Sequence, residues 1–213
     1  MLELIKSGGW VMLPLLLCSV IALAITAERF WALRKSRVCP DNLISSIRKW
    51  VRDGELDDMR VRALAATSLQ GRLLAAGLAN RRHGRDIMKE SIEDMGRQIV
   101  LELERYLNSL GTIASAAPLL GLLGTVIGMI KVFATVSSQG VGDAGQLAGG
   151  ISEALVTTAT GMTIAIPALI FYRYFRGKVD RLVAYMEEEA QEMLEIMSGD
   201  REFSANEEEG LEI

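Results

Sequence analysis

Glu153 is the one charged residue in the apolar stretch 151–172. An ionised carboxylate inside a bilayer costs about 2.5 kcal/mol or more, so it needs a partner or a role. Thr157 and Thr160 follow Glu153 at helical spacing and share its face, while Thr158 lies roughly 140° around the same helix. This pattern favours a wet path on which the carboxyl of Glu153 binds and releases a proton.

Two plainer interpretations remain open for these side chains. A glutamate near the outer end of its span can reach the lipid headgroups or water without taking part in transport. Threonines in membrane helices commonly bond to backbone carbonyls between helices. For any single threonine we favour this structural role, whereas the combination with Glu153 favours a proton path.

A second apolar stretch, 113–136, contains small residues and one cation. Gly124 and Gly128 form a GxxxG pattern, which permits close approach of two helices. Lys131 is predicted to extend toward the outer interface, with pairing to Glu153 or Asp143 less favoured. Further residues predicted to serve packing or to kink the helices are Gly121, Gly161, Pro118 and Pro167.

The composition disfavours a conventional soluble enzyme. The chain of 213 residues has one histidine, His83, and two cysteines, Cys18 and Cys39, with no cluster at zinc-ligand spacing. No glycine-rich segment matches a dinucleotide or phosphate loop. We therefore expect no enzymatic activity, no metal or cofactor, no disulfide framework and no nucleic-acid partner.

Three stretches are long and apolar enough to cross a bilayer, which needs about 20 helical residues. They give transmembrane helices at 10–28, 113–136 and 147–172. The first has a competing interpretation as a secretory signal peptide. The positive charges, however, follow this stretch instead of preceding it, which favours a retained anchor.

The distribution of Lys and Arg predicts the orientation. Residues 29–112 contain 16 of these cations, whereas 137–150 contain none. Cytoplasmic flanks are enriched in Lys and Arg, so the N-terminus and the 137–150 loop are predicted to face the periplasm. The 29–112 segment and the C-terminus are then cytoplasmic.

The remaining segments are predicted to be almost entirely helical. Pro40 precedes one helix, a second covers Asp57 to Arg82, and an apolar stripe indicates an unbroken helix from Arg85 to Val136. The third span is predicted to continue as a cytoplasmic helix over 173–198. The predicted fold is thus an all-α integral membrane protein, with spans two and three extended as long cytoplasmic helices beside a helical cytoplasmic segment.

Both ends of the chain lie outside these helices. Residues 1–9 are predicted to form a short interfacial segment in the periplasm. Residues 187–213 contain 11 acids and one cation, Arg201, and the final part, 199–213, is predicted to be a disordered acidic tail.

Two motifs of the second and third spans resemble the ExbB/TolQ/MotA proton channel family, and ExbB above all. They are APLLGLLGTVIGM at 117–129 and GISEALVTTATGM at 150–162, followed by AIP at 165–167. The resemblance covers roughly residues 1–200, and three spans suit ExbB and TolQ better than MotA, which carries a fourth.

The resemblance implies a proton-driven motor subunit in the inner membrane of a bacterium. It implies a homopentamer around two single-span helices of ExbD or TolR type, which passes work to a TonB- or TolA-like protein. Glu153 would be the essential intramembrane carboxylate, and Thr125 and Thr158 the pore-facing threonines. The residue pattern alone favours Thr157 over Thr158, and the choice stays open at this point.

Three other functions remain alternatives. A TolQ-like subunit would serve envelope maintenance in place of outer-membrane transport. A sodium-driven relative would move Na⁺ in place of H⁺. A passive helical scaffold would use Glu153 structurally.

Overall fold

The computed structural model of the chain describes residues 9–139 and 144–198, and every regular element in them is a helix. The longer α-helices are α1 (Met12–Ala32), α3 (Leu43–Arg52), α4 (Asp58–Ala65), α5 (Leu69–Ala79), α6 (Arg85–Leu103), α7 (Leu107–Gln139) and α8 (Ala144–Ser198). A four-residue helix α2 (Lys35–Val38) and a 3₁₀ turn (Arg81–His83) complete the order. The predicted interfacial segment, the acidic tail and part of the 137–150 loop lie outside the described residues.

Three helical segments are long and apolar enough to cross a membrane: Met12–Ala32, Arg85–Ser137 and Leu147–Ser198. Their apolar side chains are largely exposed in the isolated chain, as for Leu119, Phe133 and Leu155. Such surface suits lipid or neighbouring membrane helices. The fold is therefore that of an all-α membrane protein, which confirms the predicted class.

The chain divides into two compact units, and the first contains the apolar spans. This unit comprises Met1–Arg29 and Tyr106–Arg176. Its buried cluster joins the beginning of α1 to α7 and α8 through Val11, Met12, Leu15, Ala117 and Ala165. The small alanines keep the three helices close together, and dispersion contacts among these side chains stabilise the arrangement.

The second unit comprises Phe30–Arg105 and Gly177–Ile213. Its core is formed mainly by aliphatic residues of α5, α6 and the C-terminal part of α8, among them Leu74, Leu78, Ile99 and Met193. A buried glutamine, Gln70, donates from its amide nitrogen to Glu189 at 3.2 Å. This bond joins α5 to α8 inside the apolar core.

The predicted helix from Asp57 to Arg82 is wrong as a single element. It is divided into α4 and α5, and the second of these begins at a serine cap: the hydroxyl of Ser68 accepts from the backbone N–H of Gly71 at 3.0 Å. Asp57 caps α4 in the same way by accepting from the N–H of Arg60 at 2.8 Å. Each cap satisfies a donor that has no partner within the first turn of its helix.

The predicted unbroken helix from Arg85 to Val136 is also wrong. A turn at residues 104–106 separates α6 from α7, and Tyr106 has a positive φ of 63°. Residues other than glycine rarely adopt this left-handed backbone conformation. The ring of Tyr106 lies under the guanidinium of Arg29, whose central carbon is 5.7 Å from the ring centroid, and this cation–π contact offsets part of the backbone cost.

Both cysteines are free thiols. Cys39 is fully buried in the second unit, and this burial raises the pKa of its thiol to about 11. A thiol with so high a pKa is almost entirely protonated at neutral pH and is therefore a poor nucleophile.

Candidate functional site

Glu153 and Lys131 form an ion pair between α8 and α7. The ammonium of Lys131 donates to Oε1 of Glu153 at 2.8 Å. The prediction that Lys131 extends away toward the outer interface is therefore wrong. The physical reason is that each charge is costly in an apolar span, and contact with the opposite charge offsets part of that cost.

Gly9 lies against this pair, immediately before α1. A Cβ atom on Gly9 would be 2.4 Å from Oε1 of Glu153 and 3.8 Å from Nζ of Lys131. Gly9 also has a φ of +66°, which glycine adopts without strain. The backbone at the beginning of the first span thus bounds the space that the carboxylate occupies.

Thr157 lies one turn beyond Glu153 and is almost fully buried against α7. Its hydroxyl donates to the carbonyl of Glu153 at 2.7 Å. Its methyl group faces Gly124, where a Cβ atom would approach Cγ2 of Thr157 to 2.3 Å. In the isolated chain Thr157 is therefore a helix–helix packing residue.

Thr158 makes a hydrogen bond between the two helices. Its hydroxyl donates to the backbone carbonyl of Gly121 at 2.9 Å. Gly121 allows this approach because a Cβ atom there would be 3.0 Å from Cα of Thr158. Thr158 thus helps to hold α7 and α8 together, about one and a half turns along α8 from Glu153.

Two further glycines belong to the same contact. A Cβ atom on Gly128 would lie 2.9 Å from Cβ of Ala154, and one on Gly161 would lie 2.6 Å from the carbonyl oxygen of Ala117. The glycines of both motifs are therefore placed along one close contact between α7 and α8.

The remaining predicted residues have local roles in the structure. Thr125 donates within its own helix to the carbonyl of Leu122 at 2.7 Å, and Thr160 donates to the carbonyl of Val156 at 2.8 Å. Pro118 and Pro167 both lie inside helices. The kinks at these prolines stay a prediction.

Sequence reasoning missed Gly9 and underrated Lys131. The available signal was that Lys131 is the one charged residue of 113–136 and Glu153 the one charged residue of 151–172. Two lone opposite charges in adjacent spans are expected to pair. Gly9 gave no comparable signal, since its importance depends on where the chain enters α1.

Within residues 113–136 and 151–172 the one acidic side chain is the carboxylate of Glu153, and it has one cation in contact, Lys131. The threonine hydroxyls around it donate to backbone carbonyls. Among the described residues, no group of three or more His, Cys, Asp or Glu side chains is placed to hold a metal ion. The chemistry within reach of this site is proton binding and release.

Comparisons with known proteins agree with this chemistry. Residues 65–188 match the model of the MotA/TolQ/ExbB proton channel family. A putative biopolymer transport protein, ExbB-like 1, from Synechocystis sp. is 38% identical over 181 residues, which cover 81% of this chain and 69% of the relative. A second Synechocystis protein, ExbB-like 3, is 32% identical over 197 residues, 86% of this chain and 88% of the relative.

An archaeal protein is also similar. A putative ExbB homolog from Methanothermobacter thermautotrophicus is 30% identical over 187 residues, which cover 84% of this chain and 64% of that relative. The family match includes Glu153, Lys131 and the glycine contacts between α7 and α8, whereas Gly9 lies outside the matched residues.

Proposed function

The chain belongs to the MotA/TolQ/ExbB proton channel family, and from this premise we propose that it is the channel subunit of an ExbB–ExbD–TonB-type complex. In this role it uses the proton motive force to power transport across the outer membrane. The observation that carries the proposal is Glu153, a carboxylate in an apolar helix with its side chain only about one quarter exposed. An intramembrane carboxylate is suited to carrying a proton.

The proposal includes partners, because one carboxylate in each chain does not form a complete relay. A proton that leaves Glu153 needs a second acceptor within the membrane. We propose a homopentamer around two single-span helices of ExbD or TolR type, each of which supplies an acidic side chain. The apolar surface that α7 and α8 leave exposed in the isolated chain supports such neighbours.

We further propose that the complex lies in the bacterial inner membrane, with the N-terminus in the periplasm and the C-terminus in the cytoplasm. The concentration of Lys and Arg in residues 29–112 supports this orientation. The translocated ion is H⁺, and no cofactor takes part.

The test is proton flux through the complex in liposomes after purification with the proteins that copurify with it. Glu153→Gln removes the ionisable group and keeps the shape of the side chain, so flux should fall to the background of empty liposomes. Glu90→Gln, at an exposed position of the second unit, is the matched control and should conduct like the wild type.

Size-exclusion chromatography checks that the Glu153→Gln complex still assembles. Undiminished flux in this assembled variant contradicts the proposal and favours a passive scaffold. Flux that depends on Na⁺ in place of H⁺ would assign the chain to a sodium-driven complex. Copurification with a TolA-like protein in place of a TonB-like one would assign it to envelope maintenance.

A further inference from the structure

The apolar spans contain two opposite charges in contact, and the family resemblance gives a role to one of them, Glu153, but not to Lys131. Lys131 lies eight residues before the end of α7, and Glu153 lies nine residues after the beginning of α8. At 1.5 Å per residue, both are roughly 12 to 14 Å from the helix ends. Each charge alone is costly at such a position, so their contact at 2.8 Å is a strong constraint on both side chains.

The charged groups that face Glu153 can be specified for each packed element. On α7 the sole charged side chain is Lys131, and between Trp10 and Ala27 the first span has none. On α8 the next charged residue after Glu153 is Arg173, five helical turns away. Among the described residues of the spans, Lys131 is thus the cation available to the carboxylate.

Gly9 gives a second, independent indication that the pair is a built feature. Its position leaves room for the carboxylate beside Lys131, and any side chain there would overlap with Oε1. The adjoining residues Val11, Met12 and Leu15 are buried in the core of the first unit. The backbone at Gly9 is therefore held in place by packing, and it bounds the space on one side of the carboxylate.

We propose that Lys131 is the internal counter-cation of Glu153, which keeps this carboxylate ionised in the resting subunit and competes with the incoming proton for it. This inference rests on the proposed function of Glu153. In the paired state the carboxylate accepts from the ammonium. When a proton binds to Oε1 the carboxyl becomes neutral, and the ammonium, still charged, turns toward the outer interface; release of the proton restores the pair.

Lys131 is thus a positioning residue that sets how readily Glu153 accepts a proton. An opposite charge within 4–6 Å favours the ionised form of a carboxyl group, typically by a factor of ten or more in the ratio of the two forms. Removal of Lys131 should therefore shift the balance toward the neutral carboxyl of Glu153. Protonation of Glu153 would then no longer require the carboxylate to separate from the ammonium of Lys131.

The experiment measures covalent labelling of Glu153 by dicyclohexylcarbodiimide, which reacts with protonated carboxyls in apolar surroundings. The purified complex is labelled at one fixed neutral pH, and the modified peptide is quantified by mass spectrometry. Lys131→Met should increase the labelling rate at Glu153 about tenfold or more. Lys131→Arg, which keeps the positive charge, should label like the wild type.

Gly9→Ala tests the same inference without removing a charge. The added methyl group should displace the carboxylate from Lys131 and raise the labelling rate, whereas Gly149→Ala, which has open space around its Cβ, should leave it unchanged. Because the Gly9 variant keeps every ionisable group, it still tests the effect of the Lys131–Glu153 contact if Lys131→Met fails to assemble.

Equal labelling of wild type and Lys131→Met overturns the inference, as does equally fast labelling of Lys131→Arg and Lys131→Met. Neither result depends on proton flux. Failure of the proposed function is seen separately, as undiminished flux in Glu153→Gln. The two ideas can therefore fail independently.

Discussion

Gly124 and Thr157 show how single residues determine the distance between α7 and α8. Thr157 is 1% exposed and is held by its bond to the carbonyl of Glu153. It is β-branched and short, so it cannot turn away from an added group as a long side chain could. There is therefore no room for a side chain at position 124. A larger residue there would displace Thr157, which lies one turn from Glu153.

Gly124→Ala should destabilise the first unit, although alanine is the better helix former. The methyl group would overlap with Thr157, and overpacking of this kind typically costs about 1–3 kcal/mol. Thermal unfolding of the detergent-solubilised protein measures the effect as a lower midpoint. Gly149→Ala, with no atom near its Cβ, is the control and should be neutral or slightly stabilising; a lower midpoint in both variants would refute the steric explanation.

The residues of the candidate site could be predicted only in part from the sequence. Glu153 is unusual in an apolar helix, so its type and position were enough to select it, whereas the glycines were selected by their spacing along the helices. The preference between Thr157 and Thr158 could not be decided, because the two differ in what they contact on α7: a methyl contact with Gly124 and a hydrogen bond to Gly121. Such contacts depend on the rotation of one helix against another, which the pattern of a single helix does not determine.

At the scale of elements, short capped helices form much of the second unit. Asp57 and Ser68 each accept a backbone N–H at the beginning of their helices, α4 and α5. Between them, the hydroxyl of Thr67 donates to the carbonyl of Leu64 at 2.7 Å at the end of α4. Two adjacent hydroxyls thus bond to the backbone on either side of the break: that of Thr67 to the end of α4 and that of Ser68 to the beginning of α5. These bonds stabilise the break between the helices.

Ser68→Ala should lower the free energy of unfolding of the second unit by about 1 kcal/mol, the usual cost of a lost cap. The matched control is Met59→Ala, since Met59 in α4 is 79% exposed and should contribute little. Denaturant titration followed by circular dichroism compares the two variants. Equal midpoints for Ser68→Ala and the wild type would mean that the cap contributes nothing.

The breaks between helices were the part of the fold that the sequence predicted least well. Thr67-Ser68 and Glu104-Arg105-Tyr106 contain neither glycine nor proline, so no strong breaker marks them. The first break is stabilised by a local capping bond, from the N–H of Gly71 to Ser68. The second is stabilised by a tertiary contact, that of Tyr106 with Arg29. The long apolar helices were predicted reliably because hydrophobicity and length alone determine them.

For the whole molecule, the net charge of −4 conceals two parts of opposite sign. Residues 1–186 carry 22 Lys and Arg against 16 Asp and Glu, whereas the remainder is strongly acidic. The cations flank the spans on one predicted side of the membrane, and this asymmetry determines how such a chain inserts. Orientation is thus a property of the whole charge distribution and not of any single residue.

A reporter that is active only in the periplasm should be active when fused after Ser138 and inactive when fused after Gly210. The reason is that residues 137–150 contain no Lys or Arg, while the cation-rich flanks are retained in the cytoplasm. A cytoplasmic reporter at the same two sites supplies the control and should show the opposite activities. Reversed activities in both series would contradict the predicted topology.

The close contact of Gly9 with Glu153 also gives the protein a built-in optical probe. Trp10 follows Gly9 directly, and its indole is 63% exposed in the isolated chain. Indole fluorescence responds to nearby electric fields, so a change of charge at the ion pair should shift the emission maximum of Trp10. The other tryptophans, Trp31 and Trp50, lie in the second unit, and a variant with both replaced by phenylalanine would allow the protonation of Glu153 to be followed in real time, without an added dye.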